Sequence, residues 1–281
     1  MALPIKMNNY NFDFEETLDI TMTQKEVSVY ISERSNYVQR KDGNKVKKAE
    51  ASEPIRSKED LANFIECLSR SSYNEVLSAR NLALFIVGIT TGLRVSDILK
   101  LRFRDVIKID RRTKQIEFQD RIHVVEQKTG KTNIIPKISN KCKSALYKYL
   151  QLLFSSNCDI DLDDYLWVVG DSKTHFKIAK DNHLNKCNYY DTLQKVGRMM
   201  IWQIPTKIGT HTMRKTFGYH MFKQSQNKYE TLAVLQEWFN HSSQRMTLKY
   251  IGITQDQKQD VFNNFDKFLD DFIPEENDFD F

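Results

Sequence analysis

The sequence predicts a mainly helical α+β fold with a small antiparallel β-sheet. Several stretches repeat apolar residues at spacings of three and four, which is the pattern of an amphipathic helix. Between residues 115 and 136 the pattern changes to an alternation of apolar and polar residues, which favours short strands. Because 40% of the 281 residues are apolar, the chain can bury a substantial core.

The first half of the chain contains three predicted helices. Ser57 followed by Glu59 and Asp60 is typical of a helix N-terminus. The apolar stripe of this helix consists of Leu61, Phe64, Ile65 and Leu68. Residues 78–89 predict a second helix, which is apolar on nearly all sides and should therefore be buried. A turn at residues 90–92 then leads into a helix that begins near Arg94.

The alternating region predicts three strands with a hairpin turn between the second and the third. The strands are expected at residues 115–118, 122–125 and 133–136, and the turn at residues 128–131. The elements expected after them are an amphipathic helix at 141–154, a strand or core segment at 165–169 and a polar helix at 179–200.

The last part of the chain predicts further helices. Thr210 is the expected N-cap of a helix at residues 211–223, and a second helix is expected at residues 232–239. Asn240 suits the left-handed backbone that ends a helix. Beyond Tyr250, apolar residues at helical spacing predict an amphipathic C-terminal helix. They are Val261, Phe262, Phe265, Phe268, Leu269 and Phe272.

Four side chains between residues 211 and 250 suggest phosphate chemistry. His211 and Arg214 lie one helical turn apart and leave the same face, while His241 precedes Tyr250 by nine residues. The planar guanidinium of an arginine can bond two oxygens of a phosphodiester at once. A tyrosine hydroxyl has an ordinary pKa of ~10, so it can act as a nucleophile at neutral pH only if a neighbour removes its proton.

These residues resemble the active-site signature of the tyrosine recombinases, the family of lambda-type phage integrases and Xer-like resolvases. The family pattern is H-x-x-R, then H-S-S, then a tyrosine nine positions after the second histidine. Residues 91–101 also resemble the family motif T-G-L-R-x-x-E/D-x-x-x-L, with Arg94 as its arginine. Residues 127–136 resemble the lysine-bearing hairpin of the family, with Lys128 as the lysine. The chain departs from the family's usual L-G-H by reading Phe239-Asn240-His241.

The resemblance implies a tyrosine-recombinase catalytic domain, and it implies the reaction and the role of each catalytic residue. It implies that Tyr250 attacks a DNA phosphate to give a 3′-phosphotyrosyl link and a free 5′-hydroxyl. The six catalytic residues it implies are Arg94, Lys128, His211, Arg214, His241 and Tyr250. By the same resemblance, the two arginines and His241 hold the phosphate, His211 helps to remove the proton of Tyr250, and Lys128 protonates the leaving oxygen. Neither a cofactor nor a metal ion is expected.

The resemblance also implies partners. Double-stranded DNA is the expected substrate, bound by a homotetramer on two DNA sites. The C-terminal helix either docks on a neighbouring protomer, as in the family, or packs on its own domain, and both alternatives stay open. Accessory DNA-bending or directionality factors are further expected partners. Four basic side chains are the expected DNA contacts: Lys131, Lys173, Lys215 and Arg245.

Charge and cysteine usage fit such a protein. The net charge is +5, but residues 27–265 carry 39 basic and 25 acidic side chains, which is compatible with nucleic-acid binding. An ordinary lysine-rich surface explains this excess equally well. The four cysteines form no C-x-x-C pair, as expected in a reducing compartment. Without a leader or a membrane span in the sequence, we expect a cytoplasmic, DNA-associated protein with no membrane partner.

The expected organisation has three parts. Residues 1–53 form an N-terminal arm or linker, too short for the helical core-binding domain that most tyrosine recombinases carry. Residues 54–262 form the catalytic domain, and residues 263–281 an amphipathic helix and acidic tail. Two alternatives stay open. One is a type IB topoisomerase or telomere resolvase, which shares this chemistry, and the other is a DNA-binding regulator that lacks catalysis.

Overall fold

A computed structural model describes residues 52–269, except for short segments within this range. The exceptions are residues 110–111, 113–115, 126–129, 131, 136, 171–174 and 201–206. Helices predominate in the described part of the chain, as the sequence predicts. They are α1 (Lys58–Ser69), α2 (Glu75–Thr91), α3 (Val95–Ile98), α4 (Phe103–Val106), α5 (Asn140–Ser155), α6 (Lys186–Met199), α7 (Thr212–Gln224), α8 (Lys228–Phe239), α9 (Gln244–Ile251) and α10 (Ile253–Leu269).

The strands within the described residues form two-stranded antiparallel sheets. They are β1 (Ile107–Ile109), β2 (Ile116–Phe118), β3 (Ile122–Val125), β4 (Thr132–Ile135), β5 (Tyr165–Gly170) and β6 (Phe176–Ala179). Strand β1 pairs with β2, β3 with β4, and β5 with β6. The predicted strands at 115–118, 122–125 and 133–136 correspond to β2, β3 and β4, whereas the sequence pattern did not reveal β1 or β6.

The caps of the first two helices show why they begin where they do. The side chain of Ser57 accepts a hydrogen bond of 3.0 Å from the backbone N–H of Asp60, as expected for the N-cap of α1. The side chain of Asn74 caps α2 in the same way, so this helix begins earlier than residue 78. Helix α2 ends at Gly92, whose φ of 65° is left-handed and favours glycine.

Helix α2 lies at the centre of the larger hydrophobic core. It is buried on most sides and packs against α1, α5, α7 and β5. Trp167 of β5 is fully buried, and its Nε1 donates a hydrogen bond of 2.7 Å to the carbonyl oxygen of Ile98. Because Ile98 is the last residue of α3, this bond joins β5 to the short helix that follows Arg94.

The prediction of a helix at residues 179–200 is wrong for residues 179–185. Phe176–Ala179 pairs with β5 as an edge strand, and the helix begins only at Lys186. The reason is local, because the side chain of Asn185 accepts a hydrogen bond of 2.8 Å from the N–H of Cys187 and so caps the helix there.

A second, smaller core joins the helices at the C-terminal end of the described chain. Phe217, Phe239 and Ile251 from α7, α8 and α9 are buried together in it. Asn240 ends α8 with φ 53° and ψ 48°, which confirms the left-handed backbone predicted at this position. Gly252 separates α9 from α10 with φ 88°.

Helix α10 runs without interruption from Ile253 to Leu269, so a domain boundary after residue 262 would fall inside it. Val261 and Phe262 on this helix are 70% and 63% exposed. Among the residues that the structure describes, no helix combines the length and apolar character that a membrane crossing requires.

Candidate active site

Arg94 lies in the turn that joins α2 to α3. It is the N-cap residue of α3, with an extended backbone at φ −69° and ψ 144°, and its side chain is partly buried. The left-handed Gly92 reverses the chain two residues earlier and so aims this turn toward α7. The prediction that Arg94 lies at a helix N-terminus is therefore confirmed.

Arg214 is buried in the first half of α7, with 3% of its surface exposed. Its Nη1 donates a hydrogen bond of 2.6 Å to the carbonyl oxygen of Gly92. Its guanidinium carbon lies 4.5 Å from the ring centre of Phe239, within the range of a cation–π contact. A buried cation needs such polar and aromatic partners, since desolvation of an isolated charge is costly. Both contacts hold the guanidinium in one place beside the turn of Arg94.

Tyr250 reaches the same place from α9. The Nδ1 atom of His211 lies 3.3 Å from its hydroxyl oxygen. The rings of His241 and Phe239 pack against its ring with centre-to-centre distances of 5.0 and 5.4 Å. Burial raises the pKa of Tyr250, whereas the charges of Arg214 and Arg94 and a hydrogen bond from Arg214 lower it. The phenol is therefore partly buried next to two cations that stabilise its ionised form.

His211 occupies the N-cap position of α7, one residue later than the predicted cap at Thr210. Partial desolvation lowers the pKa of its imidazole, and the nearby charges of Lys186, Lys215, Arg214 and Arg94 lower it further. The ring is therefore mainly neutral at pH 7, as a proton acceptor must be.

His241 follows the left-handed Asn240 at the end of α8. Its Nδ1 lies 3.1 Å from the hydroxyl oxygen of Thr247, a fully buried residue of α9. Burial, followed by the charges of Arg214 and Arg94, lowers the pKa of His241 to about 4. This imidazole is consequently neutral at pH 7, and its orientation is set by Thr247.

Lys215 packs against the nucleophile candidate. Its Nζ lies 5.2 Å from the ring centre of Tyr250, and the side chain is partly buried. Desolvation lowers its pKa. Arg245, in contrast, is exposed in the first turn of α9.

Lys128, Lys131 and Lys173 lie outside the described residues. The pairing of β3 with β4 nevertheless shows which two strands the connection with Lys128 and Lys131 joins. Val125 is paired with Thr132, so residues 126–131 join the ends of two antiparallel strands. This pairing agrees with the hairpin predicted around Lys128.

Several contacts around the site could not be read from the sequence. The sequence shows Phe239 only as part of an apolar helical pattern. In the structure its ring contacts both the guanidinium of Arg214 and the ring of Tyr250. The indole Nε1 of Trp238 donates a hydrogen bond of 2.9 Å to the carbonyl oxygen of Thr91, so α8 also holds the turn of Arg94. Thr247 carried no signal besides its position between the two motif residues.

Comparison with known proteins identifies the family of the chain. The sequence profile of the phage integrase family matches residues 57–257. The chain belongs to this family. The recognition of a tyrosine recombinase from the sequence is thereby confirmed, and the protein is a tyrosine-type site-specific DNA recombinase.

Relatives within the phage integrase family support the assignment. The probable integrase/recombinase YoeC of Bacillus subtilis (strain 168) is 30% identical over 214 residues, which cover 76% of this chain and 96% of YoeC. A tyrosine recombinase of Pseudothermotoga lettingae is 24% identical over 172 residues. This match covers 61% of the present chain and 49% of that relative.

Solved structures of family members share the fold. XerH recombinase, in a post-cleavage complex with palindromic difH substrate, superposes with a TM-score of 0.52 at 16% identity. This match covers 76% of the present chain and 54% of XerH. XerA recombinase superposes with a TM-score of 0.52 at 20% identity, covering 76% of the present chain and 66% of XerA. The predicted fold class, a mainly helical tyrosine-recombinase catalytic domain, is confirmed by these likenesses.

Proposed function

We propose that this recombinase cleaves double-stranded DNA with Tyr250 as its nucleophile. The observation that carries the proposal is the convergence of three groups at one point. The hydroxyl of Tyr250 lies 3.3 Å from Nδ1 of His211 and is hydrogen-bonded by Arg214. A phosphate bound by that guanidinium would lie next to both the attacking oxygen and the group that takes its proton.

The proton of Tyr250 is the first obstacle to attack. A phenol with the ordinary pKa of ~10 is ionised in about one molecule in a thousand at pH 7. In the proposed step, the neutral imidazole of His211 accepts this proton at Nδ1 as the phenolic oxygen attacks the phosphorus. The charges of Arg94 and Arg214 favour the phenolate and hold the non-bridging oxygens. Both arginines therefore stabilise the phenolate before attack and the charge on the phosphate during attack.

His241 adds a neutral donor to the phosphate. Donation from Nε2 requires that the proton of the imidazole is on this nitrogen rather than on Nδ1. The single hydroxyl proton of Thr247 can go to Nδ1 of His241 at 3.1 Å or to the carbonyl oxygen of Ser243 at 3.3 Å. Donation to the nearer Nδ1 would select this tautomer. Because the ring is neutral at pH 7, the contact adds a hydrogen bond without a further positive charge.

The leaving 5′-oxygen needs a proton, which Lys128 is proposed to supply from the connection between β3 and β4. The products are a 3′-phosphotyrosyl link and a free 5′-hydroxyl. Attack of a second 5′-hydroxyl on that link reverses the step and frees Tyr250, so the bond energy is conserved. Lys131, Lys173, Lys215 and Arg245 are proposed to contact DNA phosphates outside the reacting one.

The assembly we propose is a homotetramer on two DNA sites in which α10 docks on a neighbouring protomer. Exposure of Val261 and Phe262 supports this arrangement, because apolar side chains on one helical strip are stabilised when a partner covers them. The start of the catalytic domain after residue 53, accessory DNA-bending or directionality factors, and a cytoplasmic, nucleoid-associated location are also parts of the proposal. The expected division at residue 262 is not part of it, because this residue lies within the uninterrupted helix α10.

Covalent capture tests the proposal. The protein is incubated with nicked duplex fragments of DNA from its source, denatured, and the adducts are digested for peptide and DNA sequencing. We expect an adduct on the peptide that contains Tyr250 and none with Tyr250→Phe. The trapped DNA also reveals the target, called here the captured site. Tight DNA binding without an adduct would instead support a regulator that lacks catalysis.

A second outcome separates recombination from the topoisomerase alternative. If the captured site is offered on two duplexes, a recombinase joins strands of one duplex to the other. A type IB topoisomerase or telomere resolvase rejoins cut ends without exchange between duplexes. Strand exchange measured by gel electrophoresis therefore distinguishes the two reactions.

A further inference from the structure

The segment that precedes α1 lies across the helices of the active site. We call residues 52–56 the strap. Ile55 is fully buried, and its N–H donates a hydrogen bond of 3.0 Å to the hydroxyl of Thr216 on α7. Its carbonyl oxygen lies 2.9 Å from Nε2 of His220, one turn further along α7. The strap is thus attached along the helix that carries Arg214.

The far end of the strap reaches the turn that follows the nucleophile. Arg56 donates from Nε to Oδ1 of Asp256 at 2.9 Å, in the first turn of α10. A Cβ atom added at Gly252 would lie 3.0 Å from Nη2 of Arg56 and 3.2 Å from Cγ of Pro54. Gly252 is two residues beyond Tyr250, so the strap closes over the end of the nucleophile's helix.

Asp256 also interacts with two residues besides Arg56. Its second carboxylate oxygen lies 3.5 Å from Nζ of Lys223, and the hydroxyl of Tyr219 hydrogen-bonds to the same carboxylate. Both residues are on α7. The side chain of Asp256 is 16% exposed, that of Arg56 28% and that of Lys223 44%, so the cluster is only partly shielded from solvent and salt. It fixes the start of α10 relative to α7 and the strap.

The strap is also linked to a neighbour of Tyr250. Glu53 forms an ion pair of 2.9 Å with Arg56 and attracts the ammonium of Lys215 electrostatically. The same ammonium lies 5.2 Å from the centre of the Tyr250 ring. The strap therefore acts on the nucleophile by two routes, through Lys215 on one side and through the Gly252 turn on the other.

We propose that the strap positions Tyr250 for attack, and that the ion pair between Arg56 and Asp256 is the contact by which it holds the start of α10 and the turn after Tyr250. Arg56 and Asp256 are positioning residues, since neither contacts the proposed phosphate. This inference rests on the proposed role of Tyr250 as the nucleophile.

The physical basis is the sensitivity of attack to geometry. A misplacement of about 1 Å can slow a reaction by on the order of 10²-fold without weakening substrate binding in proportion. Loss of a partly exposed ion pair, in contrast, has a small effect on folding. Removing the pair should therefore slow cleavage by far more than it lowers thermal stability or DNA affinity.

The variants are Arg56→Met and Asp256→Asn, with Arg56→Lys as the conservative replacement. Arg70→Met is the matched control, because Arg70 pairs with Glu66 at 3.0 Å at the opposite end of α1 from the strap. On the captured site, we expect adduct formation to slow by about tenfold or more in the first two variants, with DNA affinity unchanged. Arg56→Lys should recover most of the rate, and Arg70→Met should match the unaltered protein. Unchanged rates in Arg56→Met and Asp256→Asn would overturn the proposal.

A second readout does not depend on DNA. With ring-¹³C-labelled tyrosine, the signal of Tyr250 is identified by its loss in Tyr250→Phe. Burial raises the pKa of Tyr250 in the native arrangement. We expect the pKa to fall toward the ordinary ~10 in Arg56→Met and Asp256→Asn, and to stay raised in Arg70→Met. An unchanged pKa of Tyr250 in the first two variants would overturn the proposed positioning role of the strap. Absence of any adduct in the unaltered protein would overturn only the catalytic role of Tyr250.

Discussion

Arg214 donates a hydrogen bond of 2.6 Å from Nη1 to the carbonyl oxygen of Gly92. Gly92 stands two residues before Arg94, so the side chain of one phosphate-binding candidate holds the turn that carries the other. The bond spans 122 positions of the chain and joins its two motif regions. The positions of the two guanidinium groups are therefore coupled, and a change in the turn should affect both.

Gly92→Ala tests how closely α7 packs on this turn. Gly92 has φ 65°, and a Cβ atom there would lie 2.4 Å from Cδ1 of Phe217 on α7. Left-handed strain costs about 1 kcal/mol and overpacking about 1–3 kcal/mol, so we expect the free energy of unfolding to fall by about 2–4 kcal/mol. Urea denaturation measures this loss.

Gly130→Ala is the matched control for the clash. Gly130 has a similar φ of 67°, but a Cβ atom there would meet nothing within 4 Å. It should lose only the strain of about 1 kcal/mol. Equal losses at the two glycines would show that the contact with Phe217 is unimportant.

The histidines predict a pH dependence of stability. The pKa of His241 is lowered to about 4 in the folded protein, against ~6.5 when unfolded. Between these values the unfolded state binds a proton that the folded state does not. Stability is thus complete above about pH 6.5 and declines as the pH falls toward 4. The lowered pKa of His211 acts in the same direction.

Melting temperatures recorded between about pH 7 and pH 5 test this dependence. His241→Asn is the control, because an amide can take the place of Nδ1 opposite Thr247 but does not titrate. Its melting temperature should fall less with acidification. If both proteins responded identically, the coupling of His241 to Arg94 and Arg214 would be in doubt.

Tyr250→Phe should separate binding from chemistry. The substitution removes one hydroxyl and leaves the ring contacts with His241 and Phe239 in place. We expect no covalent adduct, with affinity for the captured site nearly unchanged. In both proteins affinity should fall steeply with salt, since binding to phosphates releases counterions. Fluorescence anisotropy at several salt concentrations measures this slope, and a flat slope would contradict a phosphate-binding surface.

The sequence revealed the motif residues but not the contacts that organise them. Periodicity located α2 and α5, and the spacing of His211, Arg214 and Tyr250 predicted a common site. The sequence could not show that Phe239 packs against both Arg214 and Tyr250, because an apolar pattern predicts that a residue is buried but not which residues it contacts. Those partners depend on how α7, α8 and α9 pack, which is a tertiary property.

Short elements were the least accessible to sequence reasoning. Strand β6 was not predicted, and its last residue was assigned to a helix, because Phe176–Ala179 is too short for its alternation to be decisive. Its strand conformation depends on pairing with β5, to which it is joined by antiparallel hydrogen bonds. The attachment of the strap was equally hidden, since Arg56 and Asp256 are 200 positions apart.

Thr247 offers a test of a residue that the motifs did not include. Its hydroxyl lies 3.1 Å from Nδ1 of His241 and 3.3 Å from the carbonyl oxygen of Ser243. Thr247→Val keeps the shape of the side chain but removes the hydroxyl, so His241 loses the group that sets its tautomer. Loss of the partners that orient metal-binding histidines costs about 10–100-fold in metal sites. By analogy, we expect cleavage of the captured site to slow by about tenfold.

Thr247→Ser is the matched variant, because it retains the hydroxyl and removes only a methyl group. We expect it to cleave at nearly the rate of the unaltered protein, although both variants lose about 1 kcal/mol of stability. Rates of adduct formation at saturating protein compare the two directly. If valine and serine gave the same rate, the hydroxyl would have no part in orienting His241, and the proposed donation from Nε2 would lose its structural support.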